Sequence, residues 1–512
     1  MSTRGAADQG TSAHDEFPAA VARNAFYLVV GQVTTTALAI VLNAALGRFL
    51  GADEFGRYYL IATMATFAYV FAEWGQPTFV IPQVAREPSR AGGMLGTALG
   101  LRAGFGILVT ALAWLVSWTF GYDARTRWLA VLFILASLPL FLAQGYGMVF
   151  RARDQMGHDA TVTVAYKALV LSLTLPALLL GTGIPGVILA QAVAGVVAVG
   201  IAAALYRRLR ATPLRASFET ARELLAGGTP ILLMTAAVAA QPYLDALILS
   251  SLVPAPVVGW FGAARTISGT LTAPAAIVGS AMYPRLARAS ADTATLRQEV
   301  RSALRALLWF GGLAGAGTYL FASTAVAVIY GPERFGPAAT VLEVSSPGLF
   351  LVFINMMLTV VIYAIGRGTG FAVAKIASVL VGTGLDILLI PLFQERFGNG
   401  GIGVVVAFVL SEFVVLAAAI VVLRRRTLEP AMALDIARAL GAVGATLLMF
   451  RLIPGVSPWV GVPLCIAGFG AASFALGLIG PRDLALLGTA IWRRRAEAAK
   501  TARSDHGRSP SR

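Results

Sequence analysis

Leu50-Gly51-Ala52-Asp53-Glu54-Phe55-Gly56-Arg57-Tyr58 is followed by an apolar stretch and then by Pro82-Gln83-Val84-Ala85-Arg86. Later in the chain, Leu252-Val253-Pro254-Ala255-Pro256-Val257-Val258-Gly259-Trp260-Phe261 is followed by a second apolar stretch and then by Pro284-Arg285-Leu286-Ala287-Arg288. Gly56 and Gly259 are 203 residues apart, and Arg86 and Arg288 are 202 apart. A whole turn–helix–turn unit is therefore present twice.

Around these copies lie fourteen long apolar runs, at about 25–48, 58–81, 93–120, 127–149, 159–181, 184–206, 228–250, 257–281, 304–328, 338–364, 370–392, 400–422, 432–453 and 459–479. Each is long enough for a membrane-spanning helix, which needs about 20 residues. Six runs separate the two copies, so both copies enter the membrane in the same direction. That is the pattern of a parallel repeat, whose two bundles rock about a central site.

The predicted fold is an all-α integral membrane protein with two pseudo-symmetric six-helix bundles and two added C-terminal helices. The expected organisation is a disordered cytoplasmic tail over 1–22, a first bundle over 23–210 and a second over 223–426. Helices 13 and 14 fall within 427–481, and a basic cytoplasmic tail occupies 482–512.

Charge gives the orientation. With the N-terminus inside, the inward segments hold twenty-eight of the 40 Lys and Arg, including Arg86, Arg90, Arg151, Arg153 and Arg424-Arg425-Arg426. The outward connectors hold seven. This bias follows the positive-inside rule and places both termini in the cytoplasm.

Charged residues make up only 13% of the 512 residues and apolar ones 57%. Average soluble domains carry about 25% charge. The net charge of +15 is spread over the inward loops, where it sets topology and meets anionic lipid headgroups; it does not point to nucleic acid.

Cys465 is the one cysteine, and His14, His158 and His506 are scattered. No internal disulfide, thiolate cluster or histidine metal site follows from that set. There is no G-x-x-x-x-G-K-[ST] phosphate loop, and no connector is long enough for a soluble catalytic domain. The chain reads as a transporter rather than an enzyme, with no cofactor.

Ionisable side chains at membrane depth are costly and face a partner or a cavity. Lys167 and Lys375 are 208 residues apart, close to the repeat offset. They either face each other across a cavity suited to a phosphate or diphosphate, or snorkel to the headgroups. Arg265 and Asp245 lie at similar depth, as an internal ion pair or as a substrate contact and its regulator.

Arg102 is expected to be unpaired in the inner half of the cavity, and Arg48 at its rim. Glu73 precedes Trp74-Gly75-Gln76-Pro77, where the proline should bend or break the helix. Asp386 and Glu412 are the remaining buried carboxylates, either hydrogen-bonded structurally or coupling transport to H+ or Na+.

The turn Leu46-Gly47-Arg48-Phe49-Leu50-Gly51-Ala52-Asp53-Glu54-Phe55-Gly56-Arg57-Tyr58 resembles the "LAR-x-LG-x-x-x-FG-x-Y" turn of the oligosaccharide flippase family. That family lies within the multidrug/oligosaccharidyl-lipid/polysaccharide (MOP) exporter superfamily. Phe71-Ala72-Glu73-Trp74-Gly75 with Ala85-Arg86-Glu87, Val258-Gly259-Trp260-Phe261-Gly262-Ala263-Ala264-Arg265, Ile329-Tyr330-Gly331 through Ala339, and Ile365-Gly366-Arg367 resemble further motifs of that family, in order, over about 25–425. Trp74 and Gln76-Pro77 depart from the usual residues, so a gating role for this helix cannot be carried over.

The resemblance implies a flippase that moves undecaprenyl-diphosphate-linked oligosaccharide across the bacterial inner membrane. It would serve exopolysaccharide, O-antigen or related polymers, through a cationic cavity and alternating access. The partners implied are the lipid-linked glycan, membrane lipid and polysaccharide polymerase or export machinery, around a monomer. A cation-coupled multidrug antiporter and a peptidoglycan-precursor flippase of the same superfamily remain as alternatives.

Overall fold

The computed structural model describes residues 12–209, 212–423 and 427–480. The tail segments 1–11 and 481–512 lie outside the described residues. The elements in chain order are α1 (Ser12–Glu73), α2 (Gln76–Arg86), a short 3-10 turn (Pro88–Arg90), α3 (Ala91–Thr119), α4 (Ala124–Ala152), α5 (Met156–Leu179) and α6 (Gly183–Arg208). They continue with α7 (Phe218–Leu252), α8 (Ala255–Leu271), α9 (Ala273–Ala289), α10 (Thr293–Ile329), α11 (Pro332–Val344) and α12 (Ser346–Ala364). The last four are α13 (Gly368–Phe397), α14 (Gly400–Leu423), α15 (Pro430–Leu452) and α16 (Pro458–Ala475).

No strand occurs among the described residues. α1 starts already at Ser12, within the stretch 1–22 expected as a tail, and Ala-rich sequence continues the helix there readily.

Among the described residues, 11 helices are long and apolar enough to cross a membrane, or up to 12 if the bent α7 is one span. The fourteen apolar runs distribute over these helices for identifiable reasons. Run 25–48 and the first part of run 58–81 share α1, and the rest of the second run lies in α2; α1 is kinked at Gly51 with φ 75 and ψ 175, a conformation open to glycine because it has no Cβ. Run 257–281 is divided between α8 and α9. α7 bends by 50° between Ala237 and Ala239. Pro242 lies four residues after the bend point, lacks the N–H that would reach back there, and presses its ring on that carbonyl.

Contacts group the chain into two compact units. Of the described residues, the first takes in those up to Thr270 with Ser323–Val344 and Ala372–Ser411, and the second holds Leu271–Ala322, Ser345–Phe371 and those from Glu412 onward.

In the first unit α4 packs against α3, α5, α6 and α1. Ile61, Phe133, Ile134, Phe141, Ile184 and Ile188 form its core. α6 shows how an all-apolar helix chooses a face. Beyond the core residues Ile184 and Ile188, its buried face continues as Ala190, Ala194, Ala198 and Ala202, whereas Leu189 and Val196 are more than half exposed. The small residues let the backbones approach over this stretch.

In the second unit, Gly311 and Gly312 of α10 lie under the rings of Phe353 and Phe469, which seats α12 and α16 on α10. Arg301 donates to both carboxylate oxygens of the fully buried Asp435 on α15, at 2.7 and 3.3 Å, and Arg438 reaches the same group at 3.2 Å. Arg305 donates to the Leu478 carbonyl just beyond α16 at 2.8 Å. Asp292 caps the start of α10 by accepting from the amides of Thr295 and Ala294 and from the Thr295 hydroxyl. These hydrogen bonds, the Thr295 hydroxyl first, hold its carboxyl below the usual carboxylate range.

Candidate functional site

The break between α1 and α2 is the first place where chemistry gathers. Trp74 and Gly75 both take positive φ, 51 and 65. Pro77 is the cause: its ring meets the carbonyl of Glu73, four residues back, so the helix cannot run through. The interruption frees Glu73 and Gln76 to turn toward α3, where the fully buried Arg102 stands.

Arg102 uses all three nitrogens. Nε donates to Gln76 Oε1 at 2.9 Å, Nη1 to the Phe141 carbonyl at 2.8 Å and Nη2 to Glu73 Oε1 at 2.9 Å. Its guanidinium also lies over the Phe141 ring, 4.3 Å from the centroid. The expectation of an unpaired Arg102 is corrected by this ion pair; the helix break, invisible to a reading by depth alone, brings Glu73 within reach. Trp74 is held on its far side, stacked on Phe105 at 5.0 Å, with Nε1 donating to the Leu225 carbonyl and Thr229 Oγ1.

Beside this centre is a cavity of about 360 Å³ lined by residues of α1, α4 and α6, among them Tyr69, Glu73, Phe133, Phe141, Gln144 and Gln191. The Glu73 side chain is 38% exposed. Gln144 is exposed and has no hydrogen-bonded partner among the described residues. Gln191 donates to Ser137 Oγ, and Tyr69 Oη to the Ile134 carbonyl at 2.6 Å.

A second polar seam joins α7, α13 and α14. Gln241 Nε2 donates to Ser411 Oγ at 2.7 Å, and Ser378 Oγ to the Ser411 carbonyl at 2.9 Å. One turn along α7, Asp245 meets Asp386 of α13 as a hydrogen-bond neighbour. With both carboxylates ionised neither is a donor, and Asp386 then has no partner for either oxygen. A shared proton, or a bound cation, is what lets two buried carboxyls stay adjacent. The charge of Arg265 reaches Asp245, but no direct ion pair forms between them; the guanidinium of Arg265 lies over the Phe408 ring at 5.2 Å.

The remaining candidates lie on α5, α13, α1 and α14. Lys167 on α5 is half-buried, with no hydrogen bond or ion pair among the described residues, and Lys375 on α13 is half-buried too. Arg48 donates to the carbonyls of Ile329, at 3.1 Å, and Val328, which engages it in closing the C-terminal end of α10. Glu412 on α14 is buried and accepts from Asn355 Nδ2 at 2.6 Å. Among the described residues, no three or more His, Cys, Asp or Glu side chains gather as a metal site.

The doubled turn has a structural counterpart. A Cβ on Gly56 would lie 2.1 Å from the Ala255 carbonyl oxygen, and one on Gly259 would lie 2.2 Å from that of Ala52. Ala52 and Ala255, like Gly56 and Gly259, are 203 residues apart. The contacts are thus reciprocal, and the repeat meets itself where two small-xxx-small stripes cross. One turn further, Tyr59 lies over its own counterpart, Gly262.

The first turn is pinned from several sides. Phe55 packs edge-on against Tyr330 and Phe335. Glu54 takes both Arg125 nitrogens at 2.9 Å and Arg57 at 2.9 Å. The turn motif therefore encodes packing in this chain. The amides Gln144, Gln191 and Gln241 escaped the sequence reading because neutral polar residues in spans carry no charge signal; their position inside apolar runs was the available clue.

Described residues that form helices of this length and apolarity make a multi-pass integral membrane protein, and its fold is that of the MOP exporter superfamily. Solved structures share that fold. The lipid II flippase MurJ, in an inward closed conformation, matches with a TM-score of 0.68 at 13% identity, over 87% of this chain and 97% of that one. An inward-facing multidrug resistance MATE family transporter of the MOP superfamily matches with a TM-score of 0.63 at 16% identity, over 79% and 95%. The Vibrio cholerae MATE transporter VcmN in its bent form matches with a TM-score of 0.53 at 16% identity, over 80% and 98%. No curated protein matches by sequence. The family model described as "Polysaccharide biosynthesis protein" matches residues 21–290, and the chain belongs to that family.

Proposed function

We propose that this protein is a flippase that moves polyprenyl-diphosphate-linked oligosaccharide across the bacterial inner membrane for export of an envelope polysaccharide. The observation that carries the reading is the family match over 21–290. Lys167, an ammonium in an apolar helix without a partner among the described residues, suits a diphosphate in particular. Lys375 supplies a second cation for that group, Arg265 a third, and the polyprenyl chain stays in lipid. Both termini face the cytoplasm, the chain acts as a monomer, and polymerase or export machinery receives the product.

No cofactor takes part. The Asp245–Asp386 pair is the coupling element, exchanging a proton or a sodium ion as the cargo site opens to alternate sides. Glu412, hydrogen-bonded by Asn355, acts structurally in this scheme.

The test is flipping of a labelled polyprenyl-diphosphate oligosaccharide in proteoliposomes by wild type and by Lys167→Ala/Lys375→Ala. Wild-type transport lost in a folded double variant supports flippase and cation site together. Transport retained by the double variant removes the lysines from the site. Export of a cationic dye, without flipping of any such lipid, replaces this reading with a cation-coupled antiporter, which the acid pair would also serve.

A further inference from the structure

We infer that the cavity beside the α1–α2 break binds one sugar ring of the transported glycan, with Gln144 and Glu73 as its hydrogen-bonding residues. The inference rests on the proposed movement of a lipid-linked glycan and names where a carbohydrate would be held.

The cavity of about 360 Å³ lies in the range of small-molecule pockets, about 300–1,000 Å³, in which apolar walls carry a few orienting polar groups. Its walls favour one ligand chemistry. An anion is disfavoured because Arg102, the cation behind the wall, is fully buried and engages Gln76, Phe141 and Glu73. A cation is disfavoured because Arg102 already neutralises Glu73, at 2.9 Å. A hydrocarbon chain would strip water from a carboxylate oxygen and an amide without replacing its hydrogen bonds, which is costly.

A neutral polyhydroxylated ring meets every requirement. Glu73 Oε1 is held by Arg102, so the carboxylate is fixed in place while Oε2, without a partner among the described residues, accepts from ring hydroxyls. The free Gln144 carboxamide both donates and accepts, as vicinal hydroxyls do. Tyr69, Phe133 and Phe141 offer apolar surface for the C–H face of a pyranose. Tyr69 is kept rigid by its hydroxyl bond to the Ile134 carbonyl, 2.6 Å.

The test uses the full-length protein in lipid nanodiscs. Saturation-transfer NMR is recorded with the methyl glycosides of glucose, galactose and N-acetylglucosamine for wild type, Gln144→Leu and Gln144→Ala. The Gln144 side chain is exposed, so both variants are expected to fold, and thermal unfolding checks this. The expected result is transfer to at least one glycoside in wild type, with binding about tenfold weaker in both Gln144→Ala and Gln144→Leu, the loss of one hydrogen-bonding partner.

Equal transfer to wild type and Gln144→Leu, or transfer to none of the glycosides, overturns the inference. The flipping assay run in parallel separates the two readings. Glycoside binding without lipid flipping removes the flippase and keeps the sugar site, whereas flipping without glycoside binding does the reverse.

Discussion

Alanine at Gly56 tests the self-crossing of the repeat. The added Cβ would stand 2.1 Å from the Ala255 carbonyl oxygen, 2.8 Å from the Gly259 nitrogen and 3.0 Å from the Ala255 carbonyl carbon. All three neighbours are backbone, so no rotamer change relieves the clash. Ordinary contact begins at 3.4 Å, and α1 and α8 would have to part by about 1.3 Å locally. Overpacking of this kind costs about 1–3 kcal/mol, roughly a 5- to 150-fold shift in the folding equilibrium.

Gly259→Ala, at 2.2 Å from Ala52, should cost the same. The double variant carries the diagnostic, because one separation of the helices accommodates both methyl groups. Its cost should stay close to that of either single change, with a coupling of about 1 kcal/mol or more. Gly100→Ala in α3 is the control: it has nothing within 4 Å and should be neutral or slightly stabilising as a helix substitution. Thermal or denaturant unfolding in nanodiscs measures all four. Two silent single variants, or strictly additive ones, would refute the reciprocal contact.

Four further outcomes follow from the geometry. Arg102→Leu should destabilise by about 1–3 kcal/mol, because the buried Gln76 side chain and the Phe141 carbonyl lose their donor, seen as a drop in unfolding midpoint. Glu73→Gln should cost more, about 3–5 kcal/mol, because it leaves the fully buried Arg102 guanidinium without its counter-charge. Asp386→Asn should flatten the dependence of lipid flipping on pH or sodium, while leaving the protein folded; an unchanged dependence would take the acid pair out of coupling. The first turn of α10 should loosen in acid: Asp292 has a depressed folded pKa, so its stabilisation is full above the unfolded value and is lost as pH falls through the folded one. Protection of the Ala294 and Thr295 amides against hydrogen exchange, corrected for the intrinsic pH dependence of exchange, should fall there in wild type, and Asp292→Asn should remove that acid dependence.

Much of the architecture is written in local pattern. Apolar runs and the offset between Gly56 and Gly259 identify spans and repeat, because both are periodicities along the chain. Pro77 announces the break, although the backbone turns at Trp74 and Gly75 just before it. What fails is pairing. Arg102 looks solitary when only its depth in a helix is considered, yet Glu73 reaches it from a different element after a change of direction. The bonds of Arg48 to the carbonyls ending α10 come from an element 280 residues away in sequence. The adjacency of Asp245 and Asp386 depends on how α7 and α13 lie side by side, which neither run encodes alone. Gln144 is silent in sequence because its significance comes from the empty space beside it.

The crossing of Ala52 and Gly56 with Ala255 and Gly259 bears on how a duplicated chain can change over time. Most positions in two copies are free to drift apart, and here they do within one residue: Arg57 is matched by Trp260, the first bound to Glu54 and the second to the Arg334 carbonyl. The crossing residues have no such freedom. A bulkier side chain in either copy strikes the backbone of the other, so a single mutation is tested against its own ancestor's twin. Tyr59 over Gly262 shows the permitted exception, in which one copy grew where the other had nothing but hydrogen. Divergence after duplication is then limited less by function than by the places where the halves touch themselves.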